Sequence, residues 1–283
     1  MVSASSESAA DGRSSDRQKS QEDILSEQIR EGLSELRRPT DGLFLSALSA
    51  GLDIGFGPLL MAIVLTLAGF SFSSELLKEL LIANFYAVGF IFVVLGRSEL
   101  FTEHTTLAVL PVLDRRASVG DLARLWGVVY AGNVVGAVAF SAIVVLVAPA
   151  IGVVESKAFV ELGSSLVKHE WPVLLAGGIL AGWLMGLLSW LVAAAQESIA
   201  RVFFVWIIAT AIALAHLPHS IAGTVEVLMA VFAGTKLTLL DYGYFLLLST
   251  VGNAIGGTVF VALLKYGHVV RSGPQVETTA VDD

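Results

Sequence analysis

Two short polar clusters carry most of the residues that could do chemistry in this chain: GRSELFTEHTT, from Gly96 to Thr106, and HLPHSIAG, from His216 to Gly223. The second holds His219, followed by Ser220. A neutral imidazole donates a hydrogen bond to an anion and titrates near neutral pH. The first holds Thr102, a hydroxyl able to donate or accept, behind Leu100 and Phe101, whose side chains suit dry constrictions or ordinary packing. Arg97, Glu99, Glu103 and His104 crowd the same stretch. An arginine beside glutamates at this density reads first as a buried pair that braces a loop. Catalytic chemistry has no foothold. The chain has no cysteine, no HEXXH, no GxSxG with a plausible base, and no carboxylate–histidine cluster at metal-ligand spacing. No metal, cofactor or catalytic residue is expected.

The surroundings of these clusters are membrane-grade. Apolar residues make up 55% of the 283, mean hydropathy is +0.78, and only 15% are charged. Runs of about 18 or more weakly charged apolar residues read as membrane spans. Four are nearly unbroken: Leu43–Phe70, Trp126–Ala148, Trp171–Ala195 and Tyr242–Leu264. Two are interrupted by the clusters above: Leu80–Leu113 and Val202–Gly234. The net charge of −8 says little about partners, because residues 1–42 carry nine of the 25 acids. Nucleic acid is not an expected partner; membrane lipid is. Lys and Arg near the span ends fall twelve to four in favour of a cytoplasmic N-terminus, which puts both termini inside the cell. Residues 1–20 and 269–283 read as disordered tails. Between Gln21 and Arg38, Ile24, Leu25, Ile29, Leu33 and Leu36 share a helical face. That pattern fits an amphipathic helix on the cytoplasmic membrane surface near a pore mouth, or equally one packed on protein.

An internal repeat orders the six spans. GNVVGAVAF from Gly132 and GNAIGGTVF from Gly252 match in spans three and six; AGLDIG from Ala50 and AGWLMG from Ala181 match more weakly in spans one and four. Three spans per half is an odd number, so the halves are inverted. Spans two and five become partners, and both are broken. The Gly and Asn positions read as helix packing and interhelical hydrogen bonding. Pro218 predicts a helix break just before it. Backbone broken at this depth must be buried in protein or line a water-filled cavity, and paired breaks in an inverted repeat point to a transport site. Asp53, inside span one, needs a partner or a proton and reads as structural or as a relay. Glu226, just past the second break, is a further proton or loop-bracing candidate.

These residues resemble the formate/nitrite transporter family. The carriers are ELFT (Glu99–Thr102), GN-x-x-G (Gly132–Gly136 and Gly252–Gly256), GILA (Gly178–Ala181) and HSIA (His219–Ala222). The resemblance implies an aquaporin-like all-α fold with a separate pore in each of five subunits, passing small anions of weak acids. It matches the family's central histidine to His219 and its loop threonine to Thr102, and brings Lys168 near the position of an outer-vestibule lysine. Departures are equally plain. Pro218 and Gly223 replace the glutamate and asparagine of EHSIAN, and Gly182 replaces a pore-facing asparagine. The expected function is a plasma-membrane channel or transporter for a small monovalent weak-acid anion such as formate, nitrite or a similar monocarboxylate. Lys168 would draw the anion in, and His219 would assist its protonation. The competing readings are a pore for a neutral solute or undissociated acid, and a non-conducting scaffold.

Overall fold

The structure is a computed structural model that describes residues 18–234 and 236–272. Residues 1–17 and 273–283, where most of the expected tails lie, fall outside the described residues. The expected tail boundaries are otherwise too generous. Lys19 pairs with Glu27 at 2.6 Å and donates to the Ala193 carbonyl at 2.7 Å, and the last helix continues to Arg271.

The described residues are helical throughout. In chain order the helices are α1 (Gln21–Leu36), α2 (Thr40–Asp53), α3 (Phe56–Leu67), α4 (Glu75–Gly96), α5 (Phe101–Leu107), α6 (Leu110–Leu113), α7 (Val119–Ala150), α8 (Ser156–Val167), α9 (Trp171–Ala194), α10 (Ser198–Leu214), α11 (Ser220–Phe232), α12 (Leu239–Ile255) and α13 (Leu264–Arg271), with a π-helical stretch, Gly256–Leu263, joining the last two. Five units are long and apolar enough to cross a membrane: Thr40–Leu67, α4, α7, α9 and Leu239–Arg271. The sixth span is divided between the shorter apolar helices α10 and α11. Two irregularities were not expected. Span one pauses at Ile54–Gly55, where Pro58 cannot bond the Ile54 carbonyl four residues before it, and span six loosens into the π stretch.

Several helix starts are written locally. Ser20, Ser118 and Thr238 each accept a bond from the backbone N–H three residues on, and Asp23, Asp121 and Asp241 answer by accepting from the cap's own N–H. These are capping boxes built with aspartate, and they open α1, α7 and α12.

The repeat packs as two equivalent crossings, α2 on α7 and α9 on α12. A side chain on Gly51 would collide with the Asn133 carbonyl, and one on Gly182 with the Asn253 carbonyl. Gly136 and Gly256 allow the same close approach from the other side. The small-residue faces of spans one, three, four and six are thus used inside the protomer. This removes Gly182 from the pathway residues: it is buried in a helix crossing that a Cβ would prise apart.

The amphipathic helix settles on protein, not lipid. Ile24, Leu25 and Ile29 of α1 pack with Trp190 of α9, Leu110 of α6 and Val269 of α13. Gln28, on the same buried face, donates to the Ser189 carbonyl at 3.0 Å.

Candidate permeation site

Both interrupted spans break by one device. In span two, Arg97 takes a left-handed conformation (φ 55°), with Ser98 N–H reaching the Val93 carbonyl at 3.1 Å. In span five, His216 does so (φ 50°), with Leu217 N–H reaching the Ile212 carbonyl at 3.0 Å. Each ends its helix in a Schellman-type turn. Span two breaks this way without a proline, so Pro218 accompanies the break in span five and does not set it.

Three residues past each turn the chain re-enters a helix, α5 or α11, and an asparagine holds the gap. Asn133 Oδ1 accepts from Phe101 N–H (2.8 Å), while its Nδ2 donates to the carbonyls of Ala47 and Glu99 (both 2.8 Å). Asn253 Oδ1 accepts from Ser220 N–H (2.8 Å), while its Nδ2 donates to the carbonyls of Gly178 (2.8 Å) and Pro218 (3.0 Å). The two motif asparagines therefore do more than pack. They satisfy the backbone groups that broken helices leave bare in a membrane.

The symmetry places Leu100 and His219 at equivalent N-cap positions. Leu100 has no capping atom to offer α5. His219 caps α11: its Nδ1 accepts from Ala222 N–H at 3.1 Å. An accepting Nδ1 leaves the ring hydrogen on Nε2, which lies 2.8 Å from Thr102 Oγ1. The imidazole is the donor in that bond, and the hydroxyl's own hydrogen has no acceptor among the described residues. His219 and Thr102 are 1% and 0% exposed. The Phe90 ring stands edge-on to the imidazole, centroids 5.0 Å apart.

Two cavities approach this pair from opposite sides, and neither is lined by it. The first, about 450 Å³ and on the α1 side, is lined by Val94, Glu99 and Glu103, with Glu27, Glu31 and Glu35 contributed by α1. The second, about 280 Å³ and on the α8 side, is lined by Met61, Ile82, Tyr86 and Glu226, together with Lys78 and Lys168. Tyr86, Phe90 and Val94 follow at helical spacing along α4, from the α8-side cavity through the closed layer to the α1-side cavity. That spacing was available in the sequence, yet Tyr86 and Phe90 look like ordinary span residues until His219 is placed beside them.

The other expected site residues divide. Leu100 is fully buried at the break. Phe101 turns aside and packs edge-on against Trp126 (5.7 Å) and Tyr130 (5.1 Å) of α7. Its contacts are those of a packing residue. The Ser220 hydroxyl is buried without a partner among the described residues. Lys168 is exposed, lines the α8-side cavity and has no ion pair among the described residues. Asp53 lines neither cavity; it accepts from Ser49 Oγ at 3.0 Å on a partly exposed flank, just before the pause in span one. A relay through it has no geometric support.

The buried pair expected of Arg97 is made by other residues. Arg97 is exposed, because its backbone serves as the left-handed cap of α4. Glu99 pairs instead with Arg38, arriving from the α1–α2 connection at 2.6 Å, and with His104 Nε2 at 2.5 Å. Glu103 carries no ion pair among the described residues and lines the α1-side cavity. On α1, burial pushes the Glu31 carboxyl up from its ordinary value and Glu27 adds repulsion; burial likewise raises Glu35, with Glu99 adding repulsion.

Residues 22–267 match the sequence pattern of the formate/nitrite transporter family. This chain belongs to that family. Inner membrane protein YfdC of Escherichia coli (strain K12) is 36% identical over 259 residues, which cover 90% of this chain and 81% of YfdC. A solved ion channel of the FNT family superposes with a TM-score of 0.78 at 23% identity, covering 87% of this chain and 99% of the channel. A solved pentameric formate channel with formate bound gives 0.69 at 23% identity, covering 82% and 98%. The chain is accordingly an all-helical, multi-pass membrane protein with the family's fold. It belongs among channels and transporters for formate- and nitrite-like anions, not among enzymes.

Proposed function

We propose that the chain passes a small monovalent weak-acid anion, such as formate, nitrite or a similar monocarboxylate, across the cell's inner membrane. Both termini are cytoplasmic in this reading, which makes the α1-side cavity the cytoplasmic one and the α8-side cavity the outer one. Each subunit of a homopentamer holds its own pore, as the pentamer of the solved formate channel suggests. The single observation that carries the reading is the His219–Thr102 bond between two cavities. A solute oxygen reaching this layer, whether of the anion or of its acid, replaces a bond between two protein groups with one from Nε2–H and one from the threonine hydroxyl. The site gives up about 1 kcal/mol to separate the pair and offers two donors in return. The N-terminus of α11, a thirteen-residue helix aimed at the same point, adds a favourable partial positive charge. Leu100 and Phe90 keep the layer dry, which makes those donors count. His219 acts here as a neutral donor to the solute's oxygens; because a hydrogen bond to an anion lowers its proton affinity, the protonation expected of His219 falls to another group. A second proton on Nδ1 would break the cap of α11, so the imidazole is poorly placed to be the proton's source.

A pore for the undissociated acid is the alternative, and one observation favours it. Glu27, Glu31, Glu35, Glu99 and Glu103 line the cytoplasmic cavity against Arg38, Arg97 and Arg201. That surplus of acids lowers the local concentration of anions. Reversal potentials in defined ion gradients separate the two readings, and uptake into liposomes separates either from a non-conducting scaffold.

The test is made at His219. His219→Phe keeps a flat ring and removes both nitrogens, so anion flux in proteoliposomes falls at least about tenfold, a barrier change of roughly 1.4 kcal/mol. His219→Asn keeps a donor and a capping oxygen and retains measurable permeation. An unchanged rate in His219→Phe would falsify the assignment.

A further inference from the structure

We infer that Glu226 is the proton-loading group of the outer vestibule: its carboxyl takes up a proton as a weak-acid anion arrives and hands that proton to it. The inference rests on the anion-transport reading above and deepens it, since His219 with its capped Nδ1 leaves the proton without a source.

The geometry is specific. Glu226 is 6% exposed, and what remains open faces the outer cavity. No residue among those described donates a hydrogen bond to its carboxylate or forms an ion pair with it. A carboxyl that braced a loop or capped a helix would have such a partner. It lies seven residues after His219 on α11, two helical turns and about 10.5 Å nearer the outer surface. Tyr86, from α4, lines the same cavity and lies one turn outward of Phe90, the ring packed on His219.

The charges around the cavity are otherwise occupied. Lys78 on α4 sits between Glu75 (3.3 Å) and Glu161 of α8 (2.9 Å), and His216 is held by Glu79 at 3.1 Å. Lys168, at the end of α8, is the rim cation without an ion pair among the described residues. α3 contributes only Met61 and Leu65, α7 contributes nothing ionisable to the lining, and Tyr242 of α12 packs with Val227 outside it. An anion drawn in past Lys168 therefore meets one carboxylate unpartnered among the described residues, in a space of about 280 Å³. Two negative charges there repel strongly, and the cheapest relief is a proton. The cycle balances. The anion enters; a proton from outer water adds to the Glu226 carboxylate; the O–H bond of Glu226 breaks as the anion gains that proton; the acid's oxygen accepts from His219 Nε2–H and the Thr102 hydroxyl as it passes; the carboxylate is left ready for the next anion. One proton accompanies each anion inward.

The probe is formate, with wild-type protein and Glu226→Gln in proteoliposomes. Glutamine keeps the shape and cannot carry the proton. After subtraction of protein-free leak, wild-type flux rises at least about fivefold as outer pH falls from 8 to 5, whereas Glu226→Gln varies by less than about twofold. The second measurement needs no variant to fold. Addition of ¹³C-formate to wild-type vesicles near pH 7 produces an infrared band of a protonated protein carboxyl, and Glu226→Gln lacks it. A wild-type pH profile in Glu226→Gln, or no such band in the wild type, overturns the inference. If wild-type vesicles pass no formate yet show the band, with its loss in Glu226→Gln, proton loading stands and the transport reading falls. Flux without the band, unaltered by Glu226→Gln, gives the reverse.

Discussion

Replacing Asn253 by leucine removes three hydrogen bonds in one step: from Ser220 N–H, and to the carbonyls of Gly178 and Pro218. All three partners are backbone groups in a broken membrane helix or its neighbour, with no water to take over. Side-chain hydrogen bonds inside membranes average about 0.6 kcal/mol, and buried bonds generally about 1 kcal/mol, so the loss should be about 2–3 kcal/mol. Asn133 makes the same three bonds in the other half, so Asn133→Leu should cost the same to within about 1 kcal/mol. Unfolding free energies in bicelles, by steric trapping, measure both. Asn253→Asp sharpens the test. Aspartate is nearly isosteric and keeps the acceptor for Ser220, but it turns two donated bonds into oxygen facing oxygen. If packing volume is what matters, aspartate is the milder change; if hydrogen bonding is, aspartate is at least as damaging as leucine at neutral pH. A leucine cost below about 0.5 kcal/mol, or a benign aspartate, would refute the bonding argument.

Three further outcomes follow from the same geometry. Because Glu31 and Glu35 stand above the ordinary carboxyl value of 4.5 when α1 is docked, the docked state binds protons more tightly than the released one; docking should therefore weaken as pH rises above 4.5 through the raised values and strengthen as it falls. A nitroxide at the exposed Arg30 should be less mobile at pH 5 than at pH 8, and equal mobility would count against the coupling. Single cysteines at Lys157 or Lys236 should react with impermeant reagents from outside, and at Arg116 or Arg271 only from inside; the natural absence of cysteine keeps the background clean, and the reverse pattern would sink the orientation. Native mass spectrometry in mild detergent should show five copies, and only monomers or dimers would contradict the assembly.

Much of this architecture was readable in the sequence because it rests on local or repeated signals. Six apolar runs need only hydropathy, and the Gly-Asn phrases in spans three and six mark the inverted repeat. The breaks announced themselves as polar residues where lipid should be. What escaped was whatever depends on a partner far along the chain. Arg38 reaches Glu99 across 61 positions, and nothing local distinguishes it from Arg97, which sits two residues away and points elsewhere. Periodicity showed that α1 has an apolar face without showing whether lipid or Trp190 would cover it. Small residues showed that helices approach closely without showing whether the neighbour is α12 or another subunit. In span five the proline drew attention to the right place for an incomplete reason, since Arg97 makes the same turn in span two without one.

That comparison between the halves explains why chemistry collects on one side of a symmetric frame. Both breaks need a left-handed turn, an extended link and an asparagine to hold it, and the repeat supplies these twice. The N-cap position that follows is the first place where the halves are free to differ. With leucine there, α5 begins with its cap unmade and only Asn133 to steady it, and the side chain can serve as a dry wall. With histidine there, one ring nitrogen is consumed by the cap of α11, which fixes the tautomer and aims the other nitrogen's hydrogen at Thr102. A helix cap is thus what makes His219 a donor of fixed direction. The same cap makes a second proton on it costly, since protonation would cost α11 its capping bond, worth about 1 kcal/mol. A pathway built this way needs its titrating group elsewhere, on a helix face that opens to water on one side only, and Glu226 is the carboxyl that α11 places there.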